Sequence, residues 1–196
     1  FGIRAYSETS KTWQSVVTLD SGSVLALDYS TKNRLYFGGD FVLGGITGIA
    51  YYDLDTNTVV DIGSVSGGEA RVNDIARITI SDTMMVVGNF TSINGVSTSE
   101  GIARQTGSTG TWQDYSGVPG FTSGWEATCV GVVDREQVFL VGGTSTETAE
   151  QTSKFGAGGD TGFLAFWLDG NWNTFRNNET LDAYTEAAIA NGPIKV

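Results

Sequence analysis

Carboxylates are the residues with which this chain could do chemistry. It carries 22 Asp and Glu against 11 Lys and Arg, a net charge of −11, and no histidine. Asp40, Asp74, Glu126 and Asp160 fall near the ends of apolar, strand-like runs. Two carboxyls about 5–10 Å apart across a sugar would make a glycosidase. Nothing in the spacing singles out a pair. Without histidine the chain cannot build a Ser-His-Asp or Cys-His nucleophile, nor a His-ligated zinc or copper centre. Cys129 is the single cysteine, so no disulfide forms within the chain. Its apolar setting, Glu126 to Val133, reads as a small buried strand residue.

Other motifs weaken on inspection. Asp53-x-Asp55-x-Asn57 opens like a Ca²⁺ loop, but Thr58 and Ser64 stand where the loop needs Gly and Glu. An Asx-type hairpin turn is the simpler account. Phe155 to Asp160 is glycine-rich but lacks the lysine and helix of a phosphate cradle, so it reads as a flexible insertion. Trp125 and Trp167 could stack on sugars, although packing between sheets is the stronger expectation. The residues therefore assign no catalytic group, no metal ligand and no cofactor. Two N-glycosylation sequons remain, Asn89-Phe90-Thr91 and Asn178-Glu179-Thr180. Asn178 sits in a polar stretch and is the better acceptor. Asn89 lies within a strand-end motif.

The acidity also bounds the partners. Nucleic acid and anionic membrane surfaces attract Lys/Arg-rich proteins, so neither is expected here. No run reaches 18 apolar residues, which excludes a transmembrane helix. The sequence starts at Phe1 with neither Met nor leader, and is expected to be a mature or partial chain.

The elements that would position these residues come in repeats. A Gly-Ile or Gly-Phe start leads to Trp or Val four times: Gly2 to Trp13, Gly48 to Val59, Gly101 to Trp112 and Gly162 to Trp172. The intervals are 11, 11, 11 and 10 residues. Between them recurs an apolar run ending in glycine: Leu35 to Gly38-Gly39, Met85 to Gly88, and Phe139 to Gly142-Gly143. The leading glycines are matched at 38, 88 and 142, with Asn89 replacing the second glycine of its doublet. An alternating strand precedes each. This predicts four short strands in a unit of about 50 residues, the pattern of a propeller blade. The doublets are expected to end strands where blades crowd, with small residues allowing close approach and φ > 0. Trp13, Trp112 and Trp172 are expected to pack between blades. The fold expected is all-β: residues 1–18 as a half blade, 19–65 and 66–118 as blades, 119–176 as a blade with an insertion at 144–159, and 177–196 as a tail or the start of another blade. Thr180 to Ala190 is the one helix candidate.

Gly38-Gly39, Tyr51-Tyr52 and the Trp positions resemble kelch repeats. More narrowly, Gly39-Asp40-Phe41, Gly88-Asn89-Phe90-Thr91-Ser92-Ile93-Asn94-Gly95 and Gly101-Ile102-Ala103-Arg104 resemble repeats of large surface proteins. These include the fungal cortical marker for cell polarity and bacterial proteins with GDFTSVNG and IAR repeats. The resemblance covers roughly residues 1–176. It implies a propeller ectodomain at a cell surface and no catalytic residue. Galactose oxidase shares the kelch propeller, but its copper site needs histidine, so that activity is set aside. The function expected is a non-enzymatic extracellular structural or adhesion module: a glycoprotein, a subunit of a surface assembly or a self-assembling filament. The alternatives are a carbohydrate- or protein-binding propeller face and a glycan-active enzyme with an acidic pair. Partners would be the rest of a longer chain, or identical subunits that complete one another's blades, besides glycans.

Overall fold

A computed structural model describes residues 2–30, 32–107, 111–118, 125–133, 135, 137–145, 161–168 and 171–174. Among them the regular elements are all strands. An antiparallel pair comes first, β1 (Gly2–Ser7) and β2 (Thr12–Thr18). Sheet I follows, with β3 (Val24–Ser30), β4 (Arg34–Leu43), β5 (Ile46–Asp53) and β6 (Thr58–Asp61). Then come β7 (Val65–Ser66), β8 (Arg71–Ile78), β9 (Thr83–Asn89), β10 (Ser92–Ile93), β11 (Val96–Ser97), β12 (Ile102–Thr106) and β13 (Trp112–Asp114). Last are β14 (Trp125–Val133), β15 (Val138–Ser145), β16 (Thr161–Leu168) and β17 (Asn171–Thr174). Sheet II has the order β8-β9-β12-β13 and sheet III the order β14-β15-β16-β17. A small sheet, β11-β10-β7, lies beside them, and no sheet closes into a barrel.

Turn chemistry explains this up-and-down order. Asn33, Asp82 and Gln137 adopt left-handed φ of 55°, 50° and 54°, each just ahead of its sheet's second strand. Gly44-Gly45 (φ 56° and 91°) and Asn94-Gly95 (48° and 77°) carry the paired positive angles of two-residue hairpins. Each first strand also bulges once, between Val24 and Ala26, Val72 and Asp74, and Ala127 and Cys129. The shared bulge fixes how the units superpose.

Three apolar clusters join the units face to face. Ile3, Val17 and Leu19 meet Phe37, Phe41 and Ala50 between the first pair and sheet I. Tyr36, Ile49 and Tyr51 meet Ile75, Val86 and Ala103 between sheets I and II. Met85, Val87 and Ile102 meet Val130, Val141 and Ala165 between sheets II and III. Strand partners share a face, so alternate residues of the middle sheets serve two clusters.

Several expectations are corrected. Gly88 opposes Val72 just before the bulge, as Gly39 opposes Val24, so Gly88 answers to Gly39 and Val87 occupies the place of Gly38. The match of Gly38 with Gly88 was one residue out. Gly38, Gly39 and Gly88 do not end strands by adopting positive φ. β4 runs on through the doublet to Leu43. Cys129 is exposed. Its strand partner is Gly142, on the face opposite to Val130, where no described sheet packs. The boundary at 65/66 falls inside β7, whose partner is the β10 hairpin. Thr144 and Ser145 of the expected insertion belong to β15 and pair with Gly162 and Thr161. Residues 146–160, the tail helix and Asn178 lie outside the described residues.

Candidate functional site

The Gly-Asp/Asn-Phe triplets place a polar group at the end of the inner strands. A Cβ on Gly39 would lie 2.0 Å from the Ser23 carbonyl oxygen, and one on Gly88 2.1 Å from that of Arg71. Only glycine fits where the first strand passes so closely. The next residue caps that strand: Ser23 N–H donates to Asp40 Oδ1 (2.6 Å), and Glu69 N–H to Asn89 Oδ1 (3.2 Å). The third, Phe41 or Phe90, is buried core.

At the same strand ends a polar cluster bridges sheets II and III. Arg71 Nη2 meets Glu126 Oε1 at 2.5 Å, and its Nη1 meets Glu69 Oε2 at 2.5 Å. Arg71 Nε donates to Asn73 Oδ1 (2.8 Å). Asn73, the bulge residue, donates through Nδ2 to Glu126 Oε1 (2.7 Å) and to the Ala127 carbonyl (2.9 Å). Burial works to raise the Glu126 pKa. Hydrogen bonds from Asn73 and Arg71, with the guanidinium charge, outweigh it and hold the carboxyl below its ordinary value. Nearby, Asp74 Oδ1 accepts Ile75 N–H and Oδ2 accepts Val130 N–H, both at 2.8 Å. Burial nonetheless raises its pKa. Glu100 is also raised by burial, while one carboxyl oxygen takes the N–H groups of Gly117 and Val118.

These carboxylates are structural acceptors first. Glu126 is tied to an arginine and an asparagine, and Asp74 spends both oxygens on backbone amides. Of the four acidic residues singled out from sequence, Asp74 and Glu126 are brought to one inter-sheet seam. Asp40 caps the neighbouring sheet, and Asp160 lies outside the described residues. Arg71 and Asn73 were missed. Superposing Gly39-Asp40-Phe41 on Gly88-Asn89-Phe90 sets Asp74, not Asn73, at the bulge, because Val72 lies one residue further from Gly88 than Val24 does from Gly39. The Asp53 motif forms an Asx turn, its Oδ1 accepting the N–H groups of Asp55 and Thr56 at 3.0 Å each.

Among the described tryptophan side chains there are two groups, and that of Trp125 lies outside them. Trp112 is 3% exposed and Trp172 8%. Trp112 donates its indole N–H to the Ile62 carbonyl (2.6 Å), and Trp172 to that of Tyr115 (2.7 Å). Each acceptor stands one residue past the fourth strand of the preceding unit. Trp167 is half-buried, 4.6 Å from Tyr115 and edge-on to Trp172 at 5.4 Å. Trp13 differs, at 67% exposed, with the Tyr6 ring 5.3 Å away. The expectation that it packs between units is corrected here, because no described unit lies on that side of β1 and β2.

No family profile and no curated protein matches the chain. Among solved structures, the extracellular domain of a B. thetaiotaomicron protein assigned as a one-component system superposes with a TM-score of 0.57 at 14% identity. The match covers 88% of this chain and 19% of that one. The likeness is one of fold, and this chain spans under a fifth of its neighbour's length. Among the described residues, no helix is long and apolar enough to cross a membrane.

Proposed function

We propose that the chain is a run of β-propeller blades serving as a non-enzymatic, extracellular structural or adhesion module. One observation carries the blade reading. Trp112 and Trp172 make the same indole-to-carbonyl bond to the same place in the unit before, across 50 and 57 residues. Units docked by one repeated contact build radially or in line, as propellers and solenoids do. The kelch-like assignment rests on the sequence motifs. The extracellular setting is supported by the fold neighbour and by the acidic surface, which disfavours anionic partners. The non-enzymatic reading is supported by the saturation of Asp74 and Glu126 and by the absence of histidine. Asn178 is the proposed glycan acceptor. At Asn89, the side chain is already engaged as a strand cap.

Imaging of the native protein tests the blade reading. A ring of four-stranded sheets around a channel supports it, and a closed two-sheet sandwich overturns it. A second reading, a carbohydrate- or protein-binding face, is favoured by the polar rim of Asp40, Asn73, Asn89 and Glu126 at the strand ends. A glycan array, beside a glycan-hydrolysis screen run on wild type and Glu126→Gln, distinguishes scaffold, binder and enzyme.

A further inference from the structure

We propose that Asn94-Gly95 is a site of spontaneous covalent modification, at which Asn94 closes on the Gly95 nitrogen and converts to isoaspartate, and that the lengthened turn loosens the seam filled by Trp112. The inference concerns one hairpin and the linker beside it, and does not depend on the blade reading.

A comparison of turn asparagines carries the first step. Asn33, Asn57 and Asn94 are exposed, stand in hairpin turns and hold left-handed φ of 55°, 57° and 48°. Two of them have the carboxamide tied down. Asn33 Oδ1 accepts the Tyr29 hydroxyl and its Nδ2 donates to Asp55 Oδ1, both at 3.0 Å. Asn57 Oδ1 accepts the Tyr52 hydroxyl at 3.1 Å. Asn73 is likewise held by Glu126 and the Ala127 carbonyl, and Asn89 by the Glu69 N–H. Among the described residues, the Asn94 carboxamide has no such partner.

The second step is the residue that follows. Arg34 and Thr58 carry a Cβ that crowds the peptide nitrogen next to Asn33 and Asn57, and Gly95 carries none. Ile93 pairs with Val96 across the turn. The Gly95 N–H therefore falls between the ladder bonds, as the second residue of a two-residue hairpin does. Among the described residues, both the nitrogen and the carboxamide carbon it would attack are free of hydrogen bonds that hold them apart.

The chemistry needs only water, and asparagine is among the thermolabile residues. The Gly95 nitrogen gives its proton to solvent base and attacks Asn94 Cγ. The Cγ–Nδ2 bond breaks, and Nδ2 takes a proton from water and leaves as ammonia. Water then opens the five-membered imide. Attack at Cγ leaves aspartate, and attack at the main-chain carbonyl leaves isoaspartate. In isoaspartate the main chain runs through Cβ and Cγ, so the turn gains an atom and a carboxylate.

The place of the turn gives that change its effect. Asn94 N–H donates to the Ser64 carbonyl at 3.0 Å. A Cβ placed on Gly63 would lie 2.6 Å from Asn94 Cβ and 2.9 Å from Trp112 Nε1. Asn94 thus rests on the linker beside the carbonyl of Ile62 that accepts the Trp112 indole. A longer, charged turn cannot keep that fit.

Peptide mapping by mass spectrometry tests this on the source-derived protein, held folded in mildly alkaline buffer. Asn33 and Asn57 in the same sample are the reference. The expected result is conversion at Asn94 at least about tenfold faster than at either, with isoaspartate among the products. The converted fraction, separated by its extra negative charge, should unfold at lower urea than the unconverted protein. Equal rates at the three asparagines would overturn the site, and so would conversion of Asn94 only after unfolding in urea. Identical urea midpoints for the two fractions would overturn the effect on the Trp112 seam.

Discussion

Trp112 donates its indole N–H to the backbone carbonyl of Ile62, 2.6 Å away and 50 residues earlier in sequence. The ring fills the seam between sheets I and II while its one polar atom satisfies a carbonyl at the end of β6. Trp112→Phe keeps most of the buried area and leaves that carbonyl without its donor. A loss of about 1–3 kcal/mol is expected in urea unfolding. Trp172→Phe should cost a similar amount through Tyr115. Trp13→Phe should change little in this chain, since that indole is solvent-exposed.

Gly39→Ala and Gly88→Ala place a methyl about where a backbone carbonyl oxygen already sits, 2.0 and 2.1 Å from the ideal Cβ. Backbone cannot swing aside as a flexible side chain would. Each should cost roughly 3 kcal/mol or prevent folding. Gly95→Ala meets no atom within 4 Å but must hold φ at 77°. It should cost about 1 kcal/mol, so thermal unfolding of the three variants side by side separates collision from conformational strain.

Asn73→Ala removes both donors that tie the sheet II bulge to Glu126 and Ala127, at about 1–2 kcal/mol near neutral pH. It also changes the pH profile. The folded Glu126 pKa lies below its usual 4.5, so this group stabilises the fold above 4.5 and that share is lost as pH falls through the lowered value. With one of its hydrogen-bond partners gone, the variant should show a shallower acid-side loss than wild type. An equally steep loss would remove Asn73 from this role.

Asp28 gives the opposite sign. Burial raises its pKa above the usual 3.8, and one of its oxygens has no hydrogen-bond partner. The folded state then holds its proton to higher pH than the unfolded chain does, so stability falls as pH rises upward from 3.8. Asp28→Asn should be more stable than wild type at neutral pH, with the gap narrowing as the solution is acidified toward 3. Chemical denaturation at several pH values reads both slopes.

Much of the architecture was readable from local chemistry. The Gly-to-Trp spacing marked the third and fourth strands, and the runs into Gly38-Gly39, Gly88 and Gly142-Gly143 marked the second. The Asp53-Leu54-Asp55 turn was recognisable because its carboxylate serves backbone amides only two and three residues away. The polar seam was less accessible. Arg71, Asn73 and Glu126 meet only because a bulge at Asn73 re-aims one side chain and the start of β14 lies alongside β8, and neither is a property of spacing. Cys129 went wrong for a related reason. An alternating strand shows which residues share a face, but not whether a neighbour covers it.

The sequence by itself determined an all-β chain of repeated four-strand units, because strand period, turn residues and tight glycines act over a few residues. It also determined that histidine chemistry is impossible here. Only the tertiary structure decided that Gly88 stands with Gly39 rather than Gly38, since that depends on which residue faces the first strand across the sheet. Only it decided that Trp112 and Trp172 are buried while Trp13 is exposed. The three residues have the same type and the same place in the repeat, and what separates them is whether another unit is packed against their face.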